Sequence, residues 1–324
     1  MRVFSGIQPT GGLHIGNYLG AIKQFLELQE TEECVFSVVD LHAITIPYNP
    51  QELQKNILDT TICYLAAGID PEKSIVFVQS QIPEHAELAW LLGTVTPTGD
   101  LLRMTQYKEK SKQFKGKIGA GILNYPILMA ADILLYKTEL VPVGQDQDQH
   151  VELTRTIARR FNKQFGKTFP EPKSRFLGPG AKIMALNDPK KKMSKSIPQS
   201  CLYLFDEPEV IRKKIMSAVT DTGKVVRYDP KKKPGISNLL VIYSLFSQKP
   251  IKEIEKKFKD SGYAKFKKSL ADLVVKNLEP LQKKRKELLK REVYVKEILE
   301  RGRKKAQAIA QSTIKEVKRK MGLE

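Results

Sequence analysis

The chain has little cysteine, one tryptophan and no long apolar run. Its three cysteines, Cys34, Cys63 and Cys201, stand far apart and form no C-x-x-C pair. That argues against a cysteine-built zinc or iron–sulfur site, and a sparse, odd count suits a reducing cytosol. The longest apolar stretches, such as 127–136, stop short of the roughly 18 residues that a membrane span needs. No membrane span is expected. Met1 leads straight into Arg2, Val3 and Phe4 with no apolar secretory stretch, so a cytoplasmic location is expected. Acidic residues are also in short supply: 36 Asp and Glu against 55 Lys and Arg give +19 over 324 residues.

What is present is enough apolar material for real cores. Hydrophobic residues make up 41% of the chain and charged residues 28%. Both values fit a globular protein and exclude a disordered or fibrous one. The length implies two packed units. The charge divides them: residues 1–200 carry 23 basic and 20 acidic residues, whereas 201–324 carry 32 and 16. A chain that was lysine-rich by habit would show it in both parts. The basic part therefore predicts contact with a polyanion.

The first two-thirds alternates strands and helices. Residues 2–7, 34–39, 74–79 and 140–143 read as short apolar strands. Helical patterns follow from about Gly16, over 51–67 and over 146–165. This alternation predicts an α/β fold with a doubly wound parallel sheet covered on both faces, with its ligand at the carboxyl ends of the strands. Past about residue 200 the strand signals fade. Residues 207–219, 236–247, 251–258, 264–277 and 281–321 read as helices, so an all-α unit follows.

Two motifs carry chemistry. Pro9-Thr10-Gly11-Gly12-Leu13-His14-Ile15-Gly16-Asn17 lies between the first strand and the first helix. Glycines let a phosphate approach the backbone, a helix start offers free N–H groups, and Gly16 leaves room for a flat purine. A plain strand-to-helix turn with an Asn cap explains the same residues equally well. The second motif is Lys192-Met193-Ser194-Lys195-Ser196. Alone it is a basic surface loop; beside a nucleotide its ammonium and hydroxyl groups suit a departing pyrophosphate.

Together, about 175 residues apart on an α/β scaffold, the two resemble the signatures of class I aminoacyl-tRNA synthetases. Further segments sharpen the likeness: 4–11, Asp40-Leu41-His42-Ala43-Ile44-Thr45, 103–110, Met129-Ala130-Ala131-Asp132-Ile133-Leu134-Leu135-Tyr136, 141–147 and 233–238. In order and over essentially the whole chain, they resemble the bacterial tryptophanyl-tRNA synthetases. Two positions depart from that pattern. His14 stands where the tryptophan enzymes often carry Thr or Ser, and Asn17 where many class I enzymes have His. No insertion of editing-domain size is present.

The resemblance implies a Rossmann-like catalytic domain over 1–196, with a dimer-forming insertion at about 80–125 and the KMSKS loop at 192–196. A basic helical anticodon-binding domain over 197–290 and a C-terminal helix over 291–324 packing back on the body would follow. It implies ATP-dependent attachment of L-tryptophan to tRNA(Trp) through a tryptophanyl-adenylate, with ATP as substrate and Mg²⁺ carried on its phosphates. The partners would be tRNA(Trp) and a second copy of the chain, with no membrane. Asp132 would accept the indole N–H. An acidic side chain in an apolar helix is costly unless partnered, and indole is donor-only. By the same resemblance Phe4, Met129, Val141 and Val143 would form the apolar walls, with Gln8, His42, Tyr125 and Gln147 orienting the amino acid. Gln8, Pro9, Thr10, His14, Gly16, Asn17, Gly144, Gln145, Asp146, Ile183, Lys192, Met193, Ser194, Lys195 and Ser196 would meet ATP. Lys110, Lys192 and Lys195 would stabilise the phosphates. Three other readings compete: a tyrosyl-tRNA synthetase-like ligase, a small-molecule nucleotidyltransferase, and a non-catalytic RNA-binding relative. The Asp132 context disfavours the first, and the basic helical half disfavours the second. The third would normally have lost a signature residue.

Overall fold

The computed structural model describes residues 1–9, 11–113, 119–144, 147–176, 183–194 and 198–324, with the side chains of 110–113 and 198 left outside the description. Five parallel strands form one sheet in the order β3-β2-β1-β4-β5. They are β1 Arg2–Ile7, β2 Glu33–Val38, β3 Ser74–Val78, β4 Leu140–Val143 and β5 Lys173–Phe176. Strand order reverses between β1 and β4, which creates the crevice where α/β sheets hold ligands.

Alternate residues of β1 and β2 feed two cores. Val3, Cys34 and Phe36 face one core, and Phe4 and Val35 face the other. The first core takes in the 15–28 segment, the Pro50–Ala67 helix and the helical part. Leu239, Leu240, Phe266 and Leu270 belong to the same continuous cluster as Val3 and Phe36. The second core is covered by the Gly121–Leu135 and Asp148–Phe165 helices and by the end of the chain.

The anticipated strands appear within a residue of their expected ends, because each is an apolar run bounded by turns. β5 was not anticipated. Lys173-Ser174-Arg175-Phe176 is largely exposed at the sheet edge, so it carries no apolar signal. The expected break near Pro280 is also absent. Gly262–Leu289 is one helix with Pro280 inside it, and the chain turns only at 290–291, before the Glu292–Met321 helix. Proline deletes one hydrogen bond there, but neighbouring Leu278 is fully buried, and that packing holds the helix together.

The Glu292–Met321 helix lies against β3. Gly302 lies so close to β3 that a Cβ there would sit 1.8 Å from the Val76 carbonyl oxygen. Only glycine fits, and the helix thereby shields the edge strand from pairing with another chain. Among the described residues, no helix is long and apolar enough to cross a membrane.

Candidate active site

Polar groups that follow β1, β2 and β4 line one crevice, and Gln79 at the end of β3 backs it. After β2, Asp40 begins a single helical turn. Its carboxylate accepts from Ser80 N at 2.9 Å and from Ser80 Oγ, tying the β2 and β3 ends together. After β3, Gln79 Oε1 accepts from Leu41 N at 3.1 Å. These bonds set His42 and Gln79 side by side, facing the Gly121–Leu135 helix.

That helix is apolar on nearly every side and is buried as such a helix must be. Its exception, Asp132, is 1% exposed. Oδ2 accepts from His42 Nε2 at 2.7 Å, and Oδ1 accepts from Gln79 Nε2 at 2.7 Å and from His85 Nδ1 at 2.6 Å. Two imidazoles and an amide thus partner this buried carboxylate. Burial alone pushes the Asp132 carboxyl up, but the His42 and His85 imidazoles outweigh it and hold the group well below the usual carboxylate range.

A cavity of about 400 Å³ opens beside this cluster. All nine residues anticipated around the amino acid line it: Phe4, Gln8, His42, Tyr125, Met129, Asp132, Val141, Val143 and Gln147. Phe4 stacks on Tyr136 with centroids 5.6 Å apart. The Tyr125 hydroxyl bonds Gln106 Oε1 at 3.0 Å and His150 Nε2 at 2.8 Å. Burial raises the Tyr125 phenol above its ordinary range, so it stays a hydroxyl.

Of the anticipated nucleotide contacts, Gln8, Asn17 and Gly144 also line the cavity. His14, Gly16 and Ile183 meet just behind it. The His14 imidazole caps the helix start: its Nδ1 accepts from Gly16 N at 3.0 Å, and Asn17 Oδ1 accepts from His14 N at 3.1 Å. The cap is therefore a reciprocal box led by His14, rather than an Asn cap. A Cβ on Gly16 would come within 2.9 Å of the His14 ring and 3.7 Å of Ile183 Cβ. In this structure the glycine makes room for the imidazole, where the sequence suggested room for a purine. The turn runs into a π-wound stretch, Tyr18–Ile22, a local form often found at functional sites.

The second motif reaches the first through the chain that follows it. Met193 N donates to Ile183 O at 3.0 Å, and Leu186 N donates to Ser200 O at 3.1 Å. Ile15 N donates to Leu202 O and Leu204 N to Leu13 O, both at 2.9 Å. Asn238, from the helical part, grips Met184 from both sides: its Oδ1 accepts from Met184 N and its Nδ2 donates to Met184 O. Met193 is buried, and Lys192 and Ser194 are exposed. Pro9 is buried outside the cavity lining. Thr10, Gln145, Asp146, Lys195 and Ser196 lie outside the described residues, as does the side chain of Lys110.

Sequence reasoning missed Gln79, His85, Gln106 and His150. A signal existed. The chain has only four histidines, and His14, His42, His85 and His150 are all buried. Burying so polar a ring needs partners, and three of the four bond Asp132 or Tyr125.

A parallel sheet, a crevice at its reversal point and two signature motifs laced to one another define a nucleotide-dependent class I synthetase site. Residues 1–279 match the family model described as tRNA synthetases class I (W and Y), and the chain belongs to that family. The tryptophan–tRNA ligase of Caldanaerobacter subterraneus is 53% identical, covering 99% of this chain and 98% of that protein. The tryptophanyl-tRNA synthetase structure from Mycoplasma pneumoniae superposes with a TM-score of 0.91 at 37% identity, covering 100% of this chain and 98% of the other. The Campylobacter jejuni tryptophanyl-tRNA synthetase, complexed with ADP and tryptophan, superposes at 0.85 with 38% identity and full coverage of both chains.

Proposed function

We infer that this chain attaches L-tryptophan to tRNA(Trp) at the expense of ATP, and that the Asp132 cavity receives the amino acid. One observation carries the reading: a buried carboxylate, already held by three donors, borders a cavity of mixed polar and apolar lining where strand order reverses. An indole N–H satisfies its remaining acceptor capacity. A side chain without that hydrogen leaves the carboxylate facing hydrocarbon.

The amino acid's carboxylate attacks the α-phosphorus of ATP in line, and pyrophosphate leaves. The nucleophile is already ionised, so no general base is needed. The chain supplies position and charge. Phe4, Met129, Val141 and Val143 wall the ring, while Gln8, His42, Tyr125 and Gln147 orient the ammonium and carboxylate. Gln8, Pro9, Thr10, His14, Gly16, Asn17, Gly144, Gln145, Asp146, Ile183 and the 192–196 loop address ATP. Lys110, Lys192 and Lys195 meet the developing phosphate charge. Mg²⁺ enters as part of the ATP substrate, carried on its phosphates. The adenylate waits until the terminal ribose hydroxyl of the tRNA attacks its carbonyl, breaking the acyl–phosphate bond and releasing AMP.

The Rossmann-like domain over 1–196 performs these steps. The basic helical domain over 197–290 holds the anticodon arm through its lysines and arginines, and the 291–324 helix braces the body. Affinity for tRNA falls steeply with salt, on the order of a thousandfold between 50 and 200 mM, and tryptophan affinity does not. A second, apolar cavity of about 780 Å³ lies beside the first, lined by Leu41, Ile44, Ala89, Trp90 and Leu101. The indole of Trp90 is 77% exposed there, which supports this face as the seat of a second copy. With one tryptophan in the chain, ligand-free emission should shift on dilution to monomer.

Pyrophosphate exchange into ATP is the decisive assay. Exchange that depends on tryptophan and not on tyrosine is the expected result. Exchange driven by tyrosine, or none with any amino acid, would overturn the reading.

A further inference from the structure

His85 is the one histidine at the Asp132 cluster that does not line the cavity, and it is fully buried. It starts the Glu84–Gly93 helix and lies between two side chains of the facing helical segment. Nδ1 is 2.6 Å from Asp132 Oδ1, and Nε2 is 2.8 Å from the Tyr136 hydroxyl. Asp132 is an anion and can only accept, so Nδ1 carries the proton. The Tyr136 hydroxyl then donates to Nε2. Burial, with Asp132 and Glu84 adding to it, raises the Tyr136 phenol well above its ordinary range. It therefore keeps its proton, and donating that proton to Nε2 favours the imidazole tautomer with Nδ1–H.

A carboxylate has about four acceptor positions. Gln79 and His85 occupy both on Oδ1, and His42 occupies one on Oδ2. Among the described residues, one position on Oδ2 remains. We propose that His85 is a positioning residue for amino-acid selection: with Tyr136 behind it and Gln79 beside it, it pins Oδ1 so that Asp132 turns a single acceptor lone pair toward the cavity. Without that pin, the carboxylate can rotate about its last bond and satisfy itself with other donors, and the indole hydrogen meets a poorly aimed oxygen. The proposal rests on the reading that Asp132 accepts the indole N–H, and it assigns the aim of that bond to a residue that never touches substrate.

The test compares tryptophan with 3-(benzothiophen-3-yl)alanine, the near-isostere with sulfur in place of N–H, in pyrophosphate exchange. His85→Ala should raise the KM for tryptophan about tenfold, with kcat and the KM for ATP within about twofold. The KM for the benzothiophene should stay as it is in the unaltered protein, because that ligand never used the bond. His85→Asn, whose amide N–H replaces Nδ1–H, should recover most of the tryptophan affinity. Tyr136→Phe should raise the tryptophan KM only a few-fold. If His85→Ala weakens both amino acids equally, or neither, the proposal is wrong. If that variant does not fold, the same comparison is made on His85→Asn and Tyr136→Phe, and equal effects on both ligands again overturn it. Asp132→Asn separates the two levels. Should it leave tryptophan selection intact, the reading of Asp132 fails. Should it abolish selection while His85→Ala does not, only the role of His85 fails.

Discussion

At one end of the site, Asp132 is buried and takes hydrogen bonds from Gln79, His42 and His85 before any ligand arrives. At the other, Gln8, Lys192 and Ser194 are exposed. The first end is finished by the fold. The second is open to solvent, and under the proposed function it is where the nucleotide arrives. Under the proposed function, selection of the amino acid is prepared during folding, because a buried carboxylate is tolerable only when its donors are already in place. Phosphate chemistry asks for charge where it develops, and flexible cations supply that at little cost to stability.

The contrast can be broken by substitution. Asp132→Asn sets an amide against three donors, and should lower kcat/KM for tryptophan on the order of a thousandfold. The KM for ATP should stay within about twofold. A matching rise in the ATP KM would mean that the two ends are one unit. Lys195→Ala, or Lys192→Ala, should slow adenylate formation about a hundredfold while leaving the tryptophan KM nearly unchanged. Single-turnover kinetics would show this, and equal losses in rate and binding would contradict a transition-state role.

Gly302→Ala probes the frame behind the finished end. The new methyl collides with Val76 O in β3, the strand that delivers Gln79. Urea unfolding should show a loss of about 2 kcal/mol, with the tryptophan KM rising more than that for ATP. The smallest effect concerns pH. The Asp132 carboxyl lies below its unfolded value. Its contribution is therefore present above the ordinary carboxylate range, and is lost only as acid carries the folded group through its own lowered pKa. The tryptophan KM should show no titration of Asp132 from about pH 7.5 to about 5.5. A rise there that vanishes in Asp132→Asn would place the carboxyl above the ordinary range, raised by burial rather than lowered by its imidazole partners.

Four of the five strands were legible because each is an apolar run between turns. β5 was not, since an exposed edge strand of Lys, Ser and Arg has no pattern to read. The Pro280 break failed for the opposite reason: local propensity predicted a stop, and burial of Leu278 overrode it. At the site, the residues that line the cavity came from likeness to a family, not from periodicity. Met129 or Val141 alone would pass for core. His85 and Gln79 were invisible because their role exists only in three dimensions. One begins a helix whose near neighbours Glu84 and Glu87 suggest solvent, and the other ends a strand. Only the topology brings both to a carboxylate about fifty positions away.

The contact between Gly302 and Val76 has a bearing on biogenesis. The edge of β3 is made early, and its cover is made more than two hundred residues later. Until that helix is synthesised, an apolar ribbon with open hydrogen-bonding groups waits beside the ribosome, able to recruit a neighbour's strand. Holding such a segment apart is work suited to a chaperone, and truncations that remove the helix should favour inclusion bodies over a shorter, working enzyme.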